Sequence, residues 1–200
     1  LYPQPCYRWV YGESDGLPGL VLERFGDVVV GQIATLGMER LKPEIEAAVR
    51  RVLAPAVLFW KNDSGARTLE NLPSALELAW GEAPAELQVV ESLPDGRTIP
   101  YRASFSGGQK TGWFYDQAAN RGALARYVVP GARVLDVCSY AGAWAISALK
   151  SGAAAATCVD ASQGALDQAQ VNARLNGVGI TTRRGDAFDE LAALADAGER

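Results

Sequence analysis

The second half of the chain alternates short apolar runs with amphipathic helical segments three times. The predicted strands cover residues 133–138, 155–160 and 179–183, and predicted helices follow them at 142–150, 162–176 and 187–197. Strands that alternate with helices form parallel βαβ units with right-handed crossovers. We therefore predict an α/β fold containing half of a Rossmann-like, doubly wound sheet with its strands in the order 3-2-1.

The first half of the chain has a different pattern, which predicts a small α+β accessory domain. A hairpin of residues 20–24 and 28–33 turns at Gly26-Asp27, and an amphipathic helix covers 39–53. A buried strand at 57–60 runs into a polar loop at 61–67, and a second hairpin pairs 87–91 with 101–105. We place the domain boundary after residue 105, so that residues 106–200 form the sheet domain, with a helix at 116–127 ahead of its first strand.

Composition excludes several classes of protein. The chain has no histidine, which rules out a His-based triad and a His-ligated metal, and its three cysteines fit neither a disulfide framework nor a paired zinc motif. The net charge of -4 disfavours binding of nucleic acid by bulk electrostatics. No apolar stretch is long enough to span a membrane and no export signal is visible, so we expect a cytoplasmic protein without a metal.

Each of the three predicted parallel strands ends in or near an aspartate. Asp136 lies near the end of the first strand, Asp160 ends the second and Asp186 follows the third. Ligands of such sheets bind beyond the carboxyl ends of the strands. We predict that Asp160 accepts hydrogen bonds from both ribose hydroxyls and that Asp186 accepts from the exocyclic amine of an adenine. Aspartates at such junctions are also common helix N-caps, which is the competing interpretation.

The loop after the first strand, residues 138–142, carries one glycine where a dinucleotide-binding loop carries G-x-G-x-x-G. Bulky neighbours disfavour close approach of a pyrophosphate, and Asp136 would repel one. The same carboxylate would attract an ammonium group and favour a nearby sulfonium. S-adenosylmethionine carries both cations and no phosphate, so we predict it as the cofactor. The residues predicted at its methionine end are Asp136, Ser139, Tyr140 and Gly142.

A further motif lies ahead of the predicted sheet, with Gln109-Lys110-Thr111-Gly112, Asp116-Gln117 and Asn120-Arg121 in close succession. Together with Arg8, residues 12–20 (GESDGLPGL) and 134–136 (VLD), this motif resembles the bacterial large-subunit ribosomal RNA cytosine-5 methyltransferases. The resemblance covers essentially the whole chain, and its two long motifs are more specific than the cofactor loop.

The resemblance implies a class I S-adenosylmethionine-dependent methyltransferase that modifies carbon 5 of a cytosine in 23S ribosomal RNA. It also implies an RNA-binding PUA domain, a central α/β domain and a catalytic domain, of which this chain matches the central domain and the front half of the catalytic one. The family's Asp-Pro-Pro motif and cysteine nucleophile would follow Arg200, so we expect a fragment without catalytic residues of its own. Cys6, Cys138 and Cys158 are interpreted as structural thiols.

The remaining predicted cofactor residues lie around the three aspartates and the loop after the first parallel strand. Lys110 and Thr111 would close over the site with Phe114 packed nearby, and Ala161 and Ala187 adjoin the two adenosine-binding aspartates. Ribosomal RNA is the predicted partner, and the oligomeric state is left open, a homodimer included. Competing hypotheses are a methyltransferase with another RNA or a protein as acceptor, a non-catalytic RNA-docking module and, disfavoured by the missing glycines, a nicotinamide oxidoreductase.

Aromatic and basic side chains of the chain could contact RNA by stacking on bases or by binding phosphates. Trp113 is the strongest candidate for stacking on a base, although most tryptophans of small domains fill a core. Eight basic residues could follow a phosphate backbone or simply form a solvated face: Arg50, Arg51, Lys61, Arg67, Arg102, Lys110, Arg121 and Arg126.

Overall fold

The computed structural model describes residues 4–105 and 111–198. The chain divides into two units, the first comprising Leu1–Val89 with Ser104–Asp116 and the second Val90–Ala103 with Gln117–Arg200. The hairpin residues 90–103 therefore group with the C-terminal elements, and the domain boundary after residue 105 stays a prediction.

The first unit contains a five-stranded sheet in the order β1-β2-β3-β4-β5. Its strands are β1 (Cys6–Tyr11), β2 (Leu20–Phe25), β3 (Val28–Ile33), β4 (Val57–Asn62) and β5 (Ala75–Trp80). The pair β3 and β4 is parallel and the other pairs are antiparallel. The hairpin predicted around Gly26-Asp27 is confirmed as β2 and β3, whereas the two edge strands were not predicted.

Two helices replace the single helix predicted at 39–53. Helix α1 covers Leu36–Arg40 and helix α2 covers Lys42–Val52. Pro43 explains the break at Leu41, because a proline fits the first turn of a helix but disrupts its interior. Val49 is fully buried in the core with Trp60, but Leu41 and Val52 are 47% and 60% exposed, so the predicted apolar face was too wide.

The polar loop predicted at 61–67 is also wrong in its extent, because strand β4 continues to Asn62 and a 3-10 helix begins at Gly65. Lys61 and Asn62 extend β4, and Asn62 Oδ1 accepts a hydrogen bond from the amide of Ile33 at 2.8 Å. Arg67 is 2% exposed and donates to Glu39 Oε2 at 2.8 Å. Lys61 and Arg67 therefore stabilise the first unit and are not available to follow a phosphate backbone.

The second unit contains the predicted parallel sheet, in the order β10-β9-β8, which confirms the 3-2-1 arrangement. Strands β6 (Glu86–Ser92) and β7 (Thr98–Ser104) pair as a hairpin, of which residues 90–103 belong to this unit. Its other elements are α3 (Ala118–Leu124), β8 (Arg133–Val137), α4 (Ala143–Lys150), β9 (Ala155–Asp160), α5 (Gln163–Leu175), β10 (Thr181–Arg184) and α6 (Ala187–Asp196). The helix predicted at 116–127 is a short 3-10 turn followed by α3, and the third strand begins later than predicted.

Small apolar side chains form the core between this sheet and its helices. Ala145, Ala156, Cys158 and Leu166 pack together there. Burial raises the pKa of the Cys158 thiol to about 12, so its interpretation as a structural thiol is confirmed. Cys138 is exposed, and a buried structural role is wrong for that residue. Within the described residues, no helix combines the length and the apolar composition that crossing a bilayer requires.

Candidate cofactor site

The loop between β8 and α4 has a strained backbone that hydrogen bonds hold in place. Cys138 and Tyr140 adopt positive φ angles of 59° and 47°, which residues other than glycine rarely adopt. The amide of Ser139 donates to the carbonyl of Val159 at 3.0 Å, and the amide of Tyr140 donates to Asp160 Oδ2 at 2.8 Å. The end of β9 therefore fixes the shape of the loop.

Asp136 lies under the first turn of α4 and is 8% exposed. Its Oδ2 atom accepts a hydrogen bond from the amide of Ala145 at 3.1 Å. Burial raises the pKa of Asp136 to about 6, an effect that the Ala145 amide and the charge of Arg121 oppose and the charge of Asp160 reinforces. The carboxylate is thus mostly ionised at pH 7 and supplies its own negative charge to the helix N-terminus.

Gly142 is required for packing as well as for backbone geometry. Its φ angle is 74°, and a Cβ atom placed there would lie 2.8 Å from the Cβ of Ala169 on α5. The glycine therefore lets the start of α4 approach α5 closely. This role is structural, and it leaves contact with a cofactor as a prediction.

Asp160 connects the loop to the start of α5. Its Oδ2 atom accepts from the Tyr140 amide, and its Oδ1 atom accepts from the amide of Ser162 at 2.9 Å. Each carboxylate oxygen can accept two hydrogen bonds, so acceptor sites remain for the hydroxyls of a ribose. Ala161 is exposed beside it, and its carbonyl accepts from Arg184 Nε at 3.3 Å.

Asp186 is the N-cap of α6, the competing interpretation of such aspartates. Its Oδ1 atom accepts from the amides of Phe188 at 2.8 Å and Asp189 at 3.4 Å. The side chain is exposed, and Ala187 begins the helix half-buried. Contact of either residue with an adenine stays a prediction.

Ser139 carries the buried polar atom that best indicates a ligand. The residue is 4% exposed, and within the described residues its Oγ atom has no hydrogen-bond partner by distance and angle. The neighbouring Cys158 thiol interacts with it weakly, which lowers the pKa of the thiol against the effect of burial. A sulfhydryl is a weak partner, so Ser139 retains capacity to bind a polar ligand group.

The predicted residues around the second motif belong to the first unit. The Thr111 hydroxyl donates to the carboxylate of Glu23, which also pairs with Arg8 at 2.6 Å. Burial raises the pKa of Glu23, whereas Thr111 and Arg8 lower it. Phe114 is half-buried, and Lys110 lies outside the described residues. Trp113 is 1% exposed, so its proposed stacking on an RNA base is wrong.

A buried ion pair near Asp136 was not predicted from the sequence. Arg121, 3% exposed, forms a buried double hydrogen bond with Glu91, in which Nε lies 2.8 Å from Oε2. Arg121 is therefore not a phosphate-contacting residue. The separation of 30 positions along the chain left no sequence signal for this pair. No cluster of side chains able to hold a metal ion occurs among the residues with described positions.

A cavity of about 360 Å³ lies on the sheet at the beginning of its strands. Arg133, Ala155 and Thr181, the first residues of β8, β9 and β10, line it together with Leu135 and Leu194. None of the predicted cofactor residues is in its lining. Ligands of doubly wound sheets bind at the carboxyl ends of the strands, so the β8–α4 loop stays the predicted cofactor site.

Comparison with protein families identifies similar proteins. Residues 121–190 match the family of ribosomal protein L11 methyltransferase (PrmA). The chain is 35% identical over 196 residues to ribosomal RNA large subunit methyltransferase I of Cronobacter sakazakii. The aligned region covers 96% of this chain and 48% of that protein. It is 36% identical over 197 residues to the protein of the same name in Klebsiella pneumoniae (strain 342), with 97% and 48% covered. The chain thus spans about half the length of these curated relatives.

Solved structures with the same architecture are described as methyltransferases. A protein of Streptococcus mutans, described as a SAM-dependent methyltransferase, superposes with a TM-score of 0.81 at 25% identity, covering 97% of this chain and 49% of that one. SMU.776, solved with SAH, gives a TM-score of 0.81 at 24% identity over 97% of this chain and 49% of its own. The predicted Rossmann-like methyltransferase fold is therefore confirmed.

Proposed function

We propose that this chain is the cofactor-binding part of an S-adenosylmethionine-dependent methyltransferase that acts on ribosomal RNA. The observation that carries the proposal is the hydrogen bond between Asp136 and the Ala145 amide. In dinucleotide-binding folds, the N-terminal amides of this helix bind a pyrophosphate. Here the Asp136 carboxylate accepts from an amide of that first turn, which favours a cationic or neutral ligand group beside it.

The residues at the carboxyl edge fit S-adenosylmethionine group by group. Asp136 would face the ammonium end, and the buried Ser139 hydroxyl would bind the amino or carboxylate group of the methionine part. Asp160 would hold the ribose through its remaining acceptor sites, and Asp186 with its neighbour Ala187 would border the adenine. When bound, the cofactor supplies an electrophilic methyl group, and the residues of this chain orient it and hold its charges.

The acceptor is proposed from the relatives. Those named above are ribosomal RNA large subunit methyltransferases, and the motif resemblance favours carbon 5 of a cytosine in 23S RNA. That reaction needs a thiolate to add to carbon 6. Cys158 is excluded by its burial and its high pKa. We assign no nucleophile within the described residues, and we expect the enzyme to work in the cytoplasm where ribosomes are made.

A protein acceptor is the second candidate, favoured by the match of residues 121–190 to the ribosomal protein L11 methyltransferase family. That match covers the cofactor-binding elements from α3 to the start of α6. Because these elements bind the cofactor in methyltransferases of many acceptor classes, the match supports the cofactor more strongly than the acceptor.

Deletion of the gene that encodes this chain tests both acceptors. Nucleosides of 23S RNA and ribosomal proteins from the deletion strain and its parent are compared by mass spectrometry. We expect loss of one 5-methylcytidine from 23S RNA, restored by the intact gene and not by the Asp160→Ala variant. Loss of a protein methyl group would support the second candidate. Unchanged RNA and protein methylation would contradict the proposed function.

A further inference from the structure

A buried asparagine on α5 hydrogen-bonds directly to the loop between β8 and α4, residues 138–142, which we call the cofactor loop. Asn172 is fully buried, and its Nδ2 atom donates to the carbonyl of Ala141 at 3.1 Å. Ala141 lies between Tyr140, with its positive φ angle, and Gly142, which is the N-cap of α4. Asn172 therefore binds the loop at the point where its strained backbone enters the helix.

The same amide also pairs with the backbone of β7. Oδ1 of Asn172 accepts from the Arg102 amide at 2.7 Å, and Nδ2 donates to the Arg102 carbonyl at 3.1 Å. The oxygen and the amide nitrogen of the side chain both form hydrogen bonds. They bond the amide and the carbonyl of Arg102 in the way that a neighbouring strand would. One side chain thus joins α5, the hairpin and the cofactor loop.

Neighbouring side chains on α5 provide an internal comparison. Gln168 Nε2 donates to the same Arg102 carbonyl at 3.0 Å, and Asn176 Nδ2 donates to the carbonyl of Pro100 at 2.8 Å. With Asn172 they form a row spaced four residues apart on one face of the helix, as expected for residues that share a helical face. The bonds described for Gln168 and Asn176 go to β7 and to α5 itself, whereas Asn172 also reaches the loop.

We propose that Asn172 is a positioning residue for the cofactor loop, fixing Tyr140 and Gly142 in the geometry that binds the methionine end of S-adenosylmethionine. The inference rests on the proposed function. Two non-glycine residues at positive φ need external bonds to hold them, and Asp160 and Asn172 supply such bonds at successive positions of the loop. Without the Ala141 bond, the loop would sample other backbone conformations and bind the cofactor less tightly.

The test compares Asn172→Ala with Asn176→Ala, which removes bonds from the same helix to the same hairpin and none described to the loop. Calorimetric titration with S-adenosylhomocysteine should show affinity at least tenfold weaker for Asn172→Ala and within threefold of wild type for Asn176→Ala. Amide hydrogen exchange at Tyr140 and Gly142, measured without cofactor, should accelerate in Asn172→Ala by more than the loss of global stability explains. Equal effects of the two variants on the loop would overturn the proposal.

A second variant and a measurement on the wild type keep the proposal testable if Asn172→Ala does not fold. Asn172→Ser keeps a polar group and leaves room for water beside Arg102, and its affinity should fall in the same direction. In the wild type, the Asn172 side-chain amide resonances should shift on addition of S-adenosylhomocysteine while those of Asn176 stay in place. Absence of binding by the wild type would refute the proposed function. Binding that leaves the Asn172 resonances unchanged would refute the positioning role alone.

Discussion

Replacing Asp136 with asparagine should stabilise the protein and weaken its binding of cofactor at the same time. Asparagine keeps a side-chain oxygen for the Ala145 amide but carries no charge into a position that is 8% exposed. Burial raises the pKa of Asp136 from 3.8 to about 6. A tenfold change in proton affinity corresponds to about 1.4 kcal/mol, so the buried charge destabilises the folded state by at most about 3 kcal/mol at neutral pH.

The pH dependence of this effect has a defined sign. The folded state holds the Asp136 proton more tightly than the unfolded state, so the destabilisation by the charge is fully present above pH about 6. It is relieved as the pH falls through that value, and it disappears below the unfolded pKa of about 3.8. The advantage of Asp136→Asn should therefore be largest at pH 7 and shrink to near zero at pH 4.

Urea denaturation of the variant and the wild type between pH 4 and pH 8 measures this difference. Asp186→Asn is the matched control for stability, since Asp186 is exposed and asparagine caps helices equally well. Calorimetric titration should show that Asp136→Asn binds S-adenosylhomocysteine roughly 10- to 100-fold less tightly, as expected when a hydrogen bond to a charged group is lost. A variant that is less stable than wild type at pH 7, or that binds equally well, would refute the reasoning.

Three further substitutions test the packing of the second unit, each by urea denaturation. Gly142→Ala should cost about 1–3 kcal/mol because of its positive φ and its approach to Ala169, and Ala169→Gly should recover part of that loss; an unchanged midpoint would contradict the close approach. Arg121→Met should cost about 3–5 kcal/mol by removing the guanidinium from the buried Glu91 carboxylate, and adding Glu91→Leu should restore most of that loss. Ser162→Ala should cost about 1 kcal/mol by removing the N-cap of α5, and a neutral result would argue against that cap.

The parallel sheet was predictable because its signals are local. Alternating apolar runs and helical segments determine the 3-2-1 order once right-handed crossovers are assumed. The second of these predicted helices begins at Ser162, a residue type that favours N-caps, and its Oγ atom accepts from the Ala165 amide at 3.3 Å. The edge strands β1 and β5 were missed because a strand at the edge of a sheet is defined by its partner as much as by its own residues.

The aspartates of the candidate site could be predicted from the sequence, but the tertiary hydrogen bonds that hold the site could not. The three aspartates follow from their positions at strand ends, but the bond from Ala145 to Asp136 depends on how α4 packs over β8. Asn172 forms its bonds with residues 31 and 70 positions away. Such contacts arise from tertiary packing, and a buried asparagine in a helix has the same sequence signature as an exposed one.

Calorimetric titration of this chain with S-adenosylhomocysteine, beside NAD and an Asp160→Ala variant, measures whether the β8–α4 loop binds the cofactor. We expect micromolar binding of S-adenosylhomocysteine that the variant loses, and no binding of NAD, because the Asp136 carboxylate would repel a pyrophosphate at the start of α4. Binding of NAD, or a folded chain that binds neither ligand, would contradict the claim that the β8–α4 loop is a site for S-adenosylmethionine.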